Sequence, residues 1–292
     1  MDEALITCRF VHFCTAMLLF GSSAFNGLVV PAGLRDAPTT LKRRIELALA
    51  LLVVITTVVW LGLEAGEAGD GWQDTVNPEV VWSVMTATSF GAAWAIRLGL
   101  GALLLGALFL PGKVRSSFVL ALSAALLASL GLVGHAAMEE GATGWLHRLN
   151  QGLHLLSAGF WIGCLPPLLA CLTRLRRGPH RLGLVETLKR FSGSGHIAVA
   201  LVLITGTINS WLILGAGWPD FGSPYQLLLF IKVSLVATMV LIAIVNRYLI
   251  VPRLGGDESR ALRALAVGTI GELALGAVVI GLVSAFATFD PV

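Results

Sequence analysis

Apolar runs of about twenty residues recur along the chain, separated by short polar stretches. Eight stand out: Ala4 to Val30, Ile45 to Leu63, Phe90 to Leu110, Phe118 to Ala137, Leu146 to Leu172, Phe191 to Leu214, Leu227 to Ile250 and Leu265 to Phe289. A hydrocarbon core of about 30 Å takes about 20 helical residues to cross. Within it a helix pairs all of its own backbone groups, which makes it the economical spanning element. The pattern therefore predicts an all-α fold, a polytopic membrane bundle of eight transmembrane helices. Composition agrees: 56% of residues are hydrophobic and 13% charged, against roughly a quarter charged in soluble domains. The first run follows Met-Asp-Glu without a basic leader, so it is expected to be a retained span.

Charge sets the orientation. With the amino terminus outside, most of the 20 Lys and Arg residues, from Arg35 and Lys42 through Arg174, Lys189 and Arg190 to Arg260 and Arg263, fall in inner loops. The acidic stretch from Glu64 to Glu79, with Trp72 and Trp82 nearby, suits an outer loop containing a short interfacial piece. Both termini are expected on the periplasmic side of an inner (plasma) membrane, with the lipid bilayer as the main surrounding. The net charge of +3 reflects these orientation signals and gives no reason to expect nucleic-acid binding. There is no GxxxxGK[ST] phosphate loop, so no nucleotide is expected, and transport would be passive, gradient-driven or partner-driven. Cys8, Cys14, Cys164 and Cys171 lie in apolar runs without CxxC spacing and read as small buried hydrophobes.

The chain also reads as two related four-helix halves, 1–140 and 141–292. "VHFCTAMLLFG" from Val11 aligns with "LHLLSAGFWIG" from Leu153, matching His12 to His154, Thr15 to Ser157 and Gly21 to Gly163. "LKRR" at Leu41 corresponds to "LKR" at Leu188, and Arg97 in "AIRLGL" to Lys232 in "FIKVSL". An ordered, weak self-similarity of this kind is what an old parallel duplication leaves. It places His12 and His154 at one level, on the order of 10 Å below the outer surface at about 1.5 Å per residue.

His147, Gln151 and His154 share one helical face, as do Cys8, His12 and Thr15. The fourth run ends in "GHAAMEE", which offers His135 and Met138. These residues form a candidate metal set in the outer third of the bundle, because imidazole with soft sulfur suits Cu(I), and histidine-rich sets also serve Cu(II). Two facing imidazoles would equally hold haem iron. The plainer reading is a histidine bonded to a neighbouring helix. A second polar tier comprises Glu272, Asn209, Arg97, Lys232 and His196, either a transport pathway or a structural network. Glu272 is expected to stay protonated or to pair with Arg97 or Lys232. Arg9, one turn from His12, is expected to meet an anionic group or lipid headgroups.

The ordered set of His154 with Trp161 and Gly163, Phe191-Ser192, "TGTIN" from Thr205 to Asn209, Tyr225 and Lys232, "NRYLIVP" from Asn246, and Glu272 resembles the copper-resistance protein D (CopD) family over essentially the whole chain. The resemblance implies an inner-membrane copper protein. It would work with a small periplasmic CopC-type copper-binding protein and move copper from periplasm toward cytoplasm. It carries over to the matching histidines and Glu272, and implies a transporter rather than an enzyme. The chain lacks a fused CopC-like domain and a methionine-rich loop. Histidine followed by tryptophan and glycine also resembles the HemJ-type protoporphyrinogen oxidases, which makes a haem-b oxidoreductase with bis-histidine ligation the alternative.

Overall fold

The computed structural model describes residues 1–34, 43–134, 141–175, 181–215, 221–255 and 258–286. Eight helices among them are long and apolar enough to cross a membrane. In chain order these are α1 (Asp2–Ala24, extended by a π-helical turn, Phe25–Val29), α2 (Arg43–Ala68), α4 (Ser89–Ala107), α5 (Gly112–Ala128), α6 (Gly141–Leu175), α7 (Arg181–Leu214), α8 (Pro224–Val245) and α9 (Glu258–Phe286). Between α2 and α4 lies α3 (Pro78–Ala87), the short piece expected after the acidic loop. Asn77 caps α3 by accepting the Glu79 N–H at 3.2 Å, and Pro78 supplies the preset first turn. In the same loop the Asp70 N–H and the Asn77 amide both donate to Asp74, holding its carboxyl below the usual carboxylate range.

Helices α6 and α7 outrun their apolar patterns. Residues 181–190, expected in an inner loop, form the first turns of α7, where Arg190 pairs with Glu186 at 2.9 Å across one turn. The hydrophobic pattern marks only the part of a helix that meets lipid or core, whereas good helix formers carry the coil further. Helix α6 runs through Pro166 and Pro167. Each lacks the N–H for a carbonyl four residues earlier, a loss that spanning helices tolerate when neighbours compensate.

The core is the contact between α1 and α6, against which α2, α5, α7 and α9 also pack. The two helices touch backbone to backbone at Gly21 and Gly163. A Cβ placed on Gly21 would lie 2.4 Å from the Gly163 backbone, and one on Gly163 would lie 2.1 Å from the Met17 carbonyl oxygen. Small residues allow this approach in a solvent where lipid tails are as apolar as leucine, so that close packing must drive association. Gly159, four residues before Gly163, extends the small-residue stripe against Leu127 and Phe20.

The two sets of four spans close differently. In the first, α1 packs on α2, α2 on α4, α4 on α5 and α5 back on α1, a complete ring. In the second, α7 packs on α6, α6 on α9 and α9 on α8, while among the described residues no packing of comparable extent joins α7 to α8. The first cavity described below lies between the two sets, lined from α1 and α2 as well as from α6 to α9, and the second lies within the second set.

Candidate functional site

His154 and Thr205 are brought together by α6 and α7, with His154 Nδ1 2.9 Å from Thr205 Oγ1. Thr205 Oγ1 in turn donates to the Leu201 carbonyl one turn back, so the threonine oxygen accepts and Nδ1 carries the imidazole proton. With Nδ1 protonated, Nε2 is the ring nitrogen that keeps the lone pair. His154 lines a cavity of about 390 Å³ whose wall reaches Arg9, about two turns along α1 from Met1. Fixing one ring nitrogen by a hydrogen bond while the other stays basic is the arrangement that metal-binding histidines use.

His147 and Gln151 line the same cavity, as their shared helical face predicted, together with Arg9, Glu64, Asn209, Tyr225 and Lys232. A network steadies its α6–α7 wall. Asn209 donates to Gln151 at 2.6 Å, and Asn150 donates to Asn209 at 2.8 Å and to the Thr205 carbonyl at 2.9 Å. Met17, which sequence reasoning passed over, also lines the cavity and brings a thioether from α1. Its position in an unbroken apolar run gave no signal; only the α1–α6 crossing places it there.

His12 repeats the first half of this arrangement and not the second. Its Nδ1 lies 2.8 Å from Thr56 Oγ1, which donates to the Leu52 carbonyl one turn back, as Thr205 does to Leu201. Its Nε2, however, takes Arg97 Nη2 at 2.5 Å. Arg97 is fully buried and also donates to the Leu126 carbonyl and Ser129 Oγ at 2.9 and 2.8 Å, with its guanidinium over Trp94. Both nitrogens of His12 are therefore engaged, and His12 is absent from the cavity wall. Cys8 sits beside it, its thiol 3.5 Å from the Thr56 carbonyl. His135 and Met138 lie outside the described residues. Among those described, no three His, Cys, Asp or Glu side chains lie close enough to hold one metal ion. Among the described residues, then, His12 turns to Arg97 and does not share the cavity wall with His154.

A second cavity, about 410 Å³, lies farther along α6 on the opposite side of the bundle and is mainly apolar. Its polar lining includes Ser192, His196, Asn246, Arg247, Tyr248 and Glu272. Of the two outcomes expected for Glu272, staying protonated or pairing with Arg97 or Lys232, the pairing is not the one found. Trp161 Nε1 donates to Glu272 Oε1 at 3.2 Å and Asn246 Nδ2 to Oε2 at 3.4 Å, whereas Arg97 is committed to His12 and Lys232 lines the other cavity. The helix positions of these residues could be read from sequence, but the face that each helix turns inward could not. His196 Nδ1 donates to the Ser192 carbonyl at 2.5 Å, and Tyr248 donates to His196 Nε2 at 3.3 Å. Ala158 and Ile162 line the first cavity and Trp161 and Leu165 the second, so the two meet α6 over the same stretch, on different faces of the helix.

Residues 1–145 match the model for the N-terminal domain of copper resistance protein D-like proteins, and residues 185–286 match that for copper resistance protein D. The chain is 34% identical over 286 residues to the inner membrane protein YebZ of Escherichia coli K12, covering 98% of each. It belongs to the copper resistance protein D family. Copper resistance protein D of Pseudomonas syringae pv. tomato is 30% identical over 312 residues, covering 99% of this chain and 97% of that one. The copper transport protein CutJ of Bacillus subtilis is 28% identical over 260 residues, which is 86% of this chain but 47% of CutJ. No solved structure matches. The CopD-family chain is thus an integral membrane protein whose relatives are named for copper resistance and copper transport, and its eight spanning helices carry the two cavities.

Proposed function

We propose that this CopD-family protein receives copper, as cargo, at His154 in the cavity on the Met1 side and passes it toward the second cavity. The observation that carries the reading is that His154, held at Nδ1 by Thr205, lines a cavity. Imidazole from His154 and His147 with the Met17 thioether makes a neutral, soft donor set that suits Cu(I) better than a hard cation. The Met1 side is assigned to the periplasm by the positive-inside rule, in an inner membrane, and movement runs from periplasm to cytoplasm. A small CopC-type periplasmic protein would deliver the ion. The paired His–Thr contacts in α1–α2 and α6–α7 support the reading of two duplicated halves, the first closed by Arg97 and the second open.

The haem-b alternative asks for two imidazoles with available nitrogens on facing helices. His12, the partner it needs for His154, has both nitrogens engaged, and this favours copper. Glu272 marks the exit side, where its carboxyl, held by Trp161 and Asn246, borders the stretch of α6 that both cavities touch.

Detergent-purified protein titrated with Cu(I) against a competing chelator tests the proposal. Wild type should bind near one equivalent, and His154→Ala should weaken binding at least about a hundredfold, as loss of a first ligand does. Equal affinity in the two, or a haem absorption band that the mutation abolishes, overturns it. Glu272→Gln in vesicles should leave binding intact while slowing copper passage; if binding falls and passage per bound ion does not, Glu272 has no place on the exit route.

A further inference from the structure

The second cavity opens sideways between α7 and α8. Ala200 and Leu203 on α7 and Ile244 on α8 line it and are themselves exposed, Leu203 at 44% and Ile244 at 47%, so in a membrane the opening faces hydrocarbon. Trp161, Leu165 and Thr269 line the same cavity and are buried. From Ser192 to Leu203 the lining follows α7 for about 16 Å at the rise of an α-helix. That is the depth of one leaflet, half of a hydrocarbon core of about 30 Å. A slot of this depth left empty would forfeit dispersion contacts along its whole wall.

Polar residues gather toward one end of the slot. Ser192, His196, Arg247 and Tyr248 stand early on the α7 stretch and just past α8, at the end of the bundle that also carries the exposed Lys189, Arg190 and Arg253. Among the described residues Arg247 donates to Ser192 Oγ, a neutral partner. Tyr248 donates to His196 Nε2 at 3.3 Å, with the two rings edge to face. Arg247 and Tyr248 belong to the π-helical turn Asn246–Ile250, and such turns recur at functional sites. A guanidinium offers five N–H donors in a fork that matches phosphate, so the one bond to Ser192 leaves donors for it. Basic pockets between spanning helices take lipid headgroups in this way. An apolar slot one leaflet deep, with a guanidinium at its end, fits a molecule that carries a long hydrocarbon chain below a phosphate.

We propose that the second cavity is a binding site for a membrane phospholipid, with one acyl chain in the slot along α7 and the phosphate held by Arg247. The site does not depend on copper at His154, and either can fail alone. The test reconstitutes the full chain in vesicles that contain phosphatidylglycerol with a photoreactive diazirine in mid-chain, or a diacylglycerol with the same chains and no phosphate. Peptide mass spectrometry then reads the labelled residues. With phosphatidylglycerol, adducts are expected on the buried lining residues Trp161, Leu165 and Thr269, as well as on the exposed Val233 and Leu241 of α8, which any surrounding lipid reaches. The lining adducts should fall about fivefold with the diacylglycerol, the factor that one basic side chain near a membrane surface supplies. Arg247→Gln should bring phosphatidylglycerol down to the same level. Gly195→Leu fills the slot from a position where a Cβ meets only Phe191, at 4.0 Å, and should remove the lining adducts while keeping those on Val233 and Leu241. Labelling of Val233 and Leu241 alone in the wild-type chain overturns the site, whether a second copy or nothing fills the slot. Equal labelling of the lining by both lipids also overturns it, since any hydrocarbon chain would then enter without Arg247. Both of these outcomes are read on the wild-type chain, so they stand even where a variant fails to fold.

Discussion

Gly163→Val is expected to abolish the folded protein almost completely. The added side chain would start at a Cβ only 2.1 Å from the Met17 carbonyl oxygen and 2.9 Å from the Gly21 Cα, and both of these are backbone atoms that no rotamer change can move. Relief requires α1 and α6 to separate, which dismantles the contact on which α2, α5, α7 and α9 pack. A cost of about 3 kcal/mol or more, the upper end for overpacking, is a large share of the stability of any domain. Gly21→Val should do the same from the other side of the contact. The measurement is the yield of monodisperse protein in detergent and its thermal midpoint. By contrast Gly99→Val, at a position where a Cβ meets nothing within 4 Å, should be near wild type. Wild-type yield for Gly163→Val would mean that the two helices do not meet at these glycines.

The second large effect concerns Arg97. Arg97→Met should lower the thermal midpoint strongly, because His12 Nε2, the Leu126 carbonyl and Ser129 Oγ would all lose a donor in the core of the closed ring. Truncating one partner of a buried charged network costs on the order of 3 kcal/mol. Arg97→Lys should recover little, since one ammonium cannot reproduce a planar fork that serves several acceptors. The protein that does fold should still bind copper as wild type does, because His154 lies outside the ring that Arg97 braces. If Arg97→Met removed copper binding from folded protein while leaving stability intact, the division of labour between the halves would be wrong.

Much of the architecture was legible because lipid imposes a simple rule. An apolar run of the right length can only be a helix, so eight spans could be counted before any contact was known. Helix ends were less legible: α7 begins ten residues before its apolar run, at Arg181, since charged helix formers carry the coil beyond the bilayer. Single-helix faces were also readable. His147, Gln151 and His154 do line one wall, as their spacing of four and three residues requires.

Relations between helices were not readable in the same way. His12 and His154 look equivalent in sequence and make the same bond to a threonine, at 2.8 and 2.9 Å, yet one is sealed and the other faces a cavity. The difference lies at Arg97, whose partners come from α1 and from the region around Leu126 and Ser129, and in the spacing of α7 and α8. Met17 shows the same limit, for its sulfur becomes a candidate ligand only through the crossing at Gly21 and Gly163. Glu272 could have met any of several cations, and it found Trp161 and Asn246 instead. Solvent transfer acts residue by residue, so composition and period are enough to say what enters the membrane and as which element. Packing acts between surfaces far apart in the chain, so which nitrogen stays basic, which cation closes a ring and where a cavity remains were settled only when the helices met.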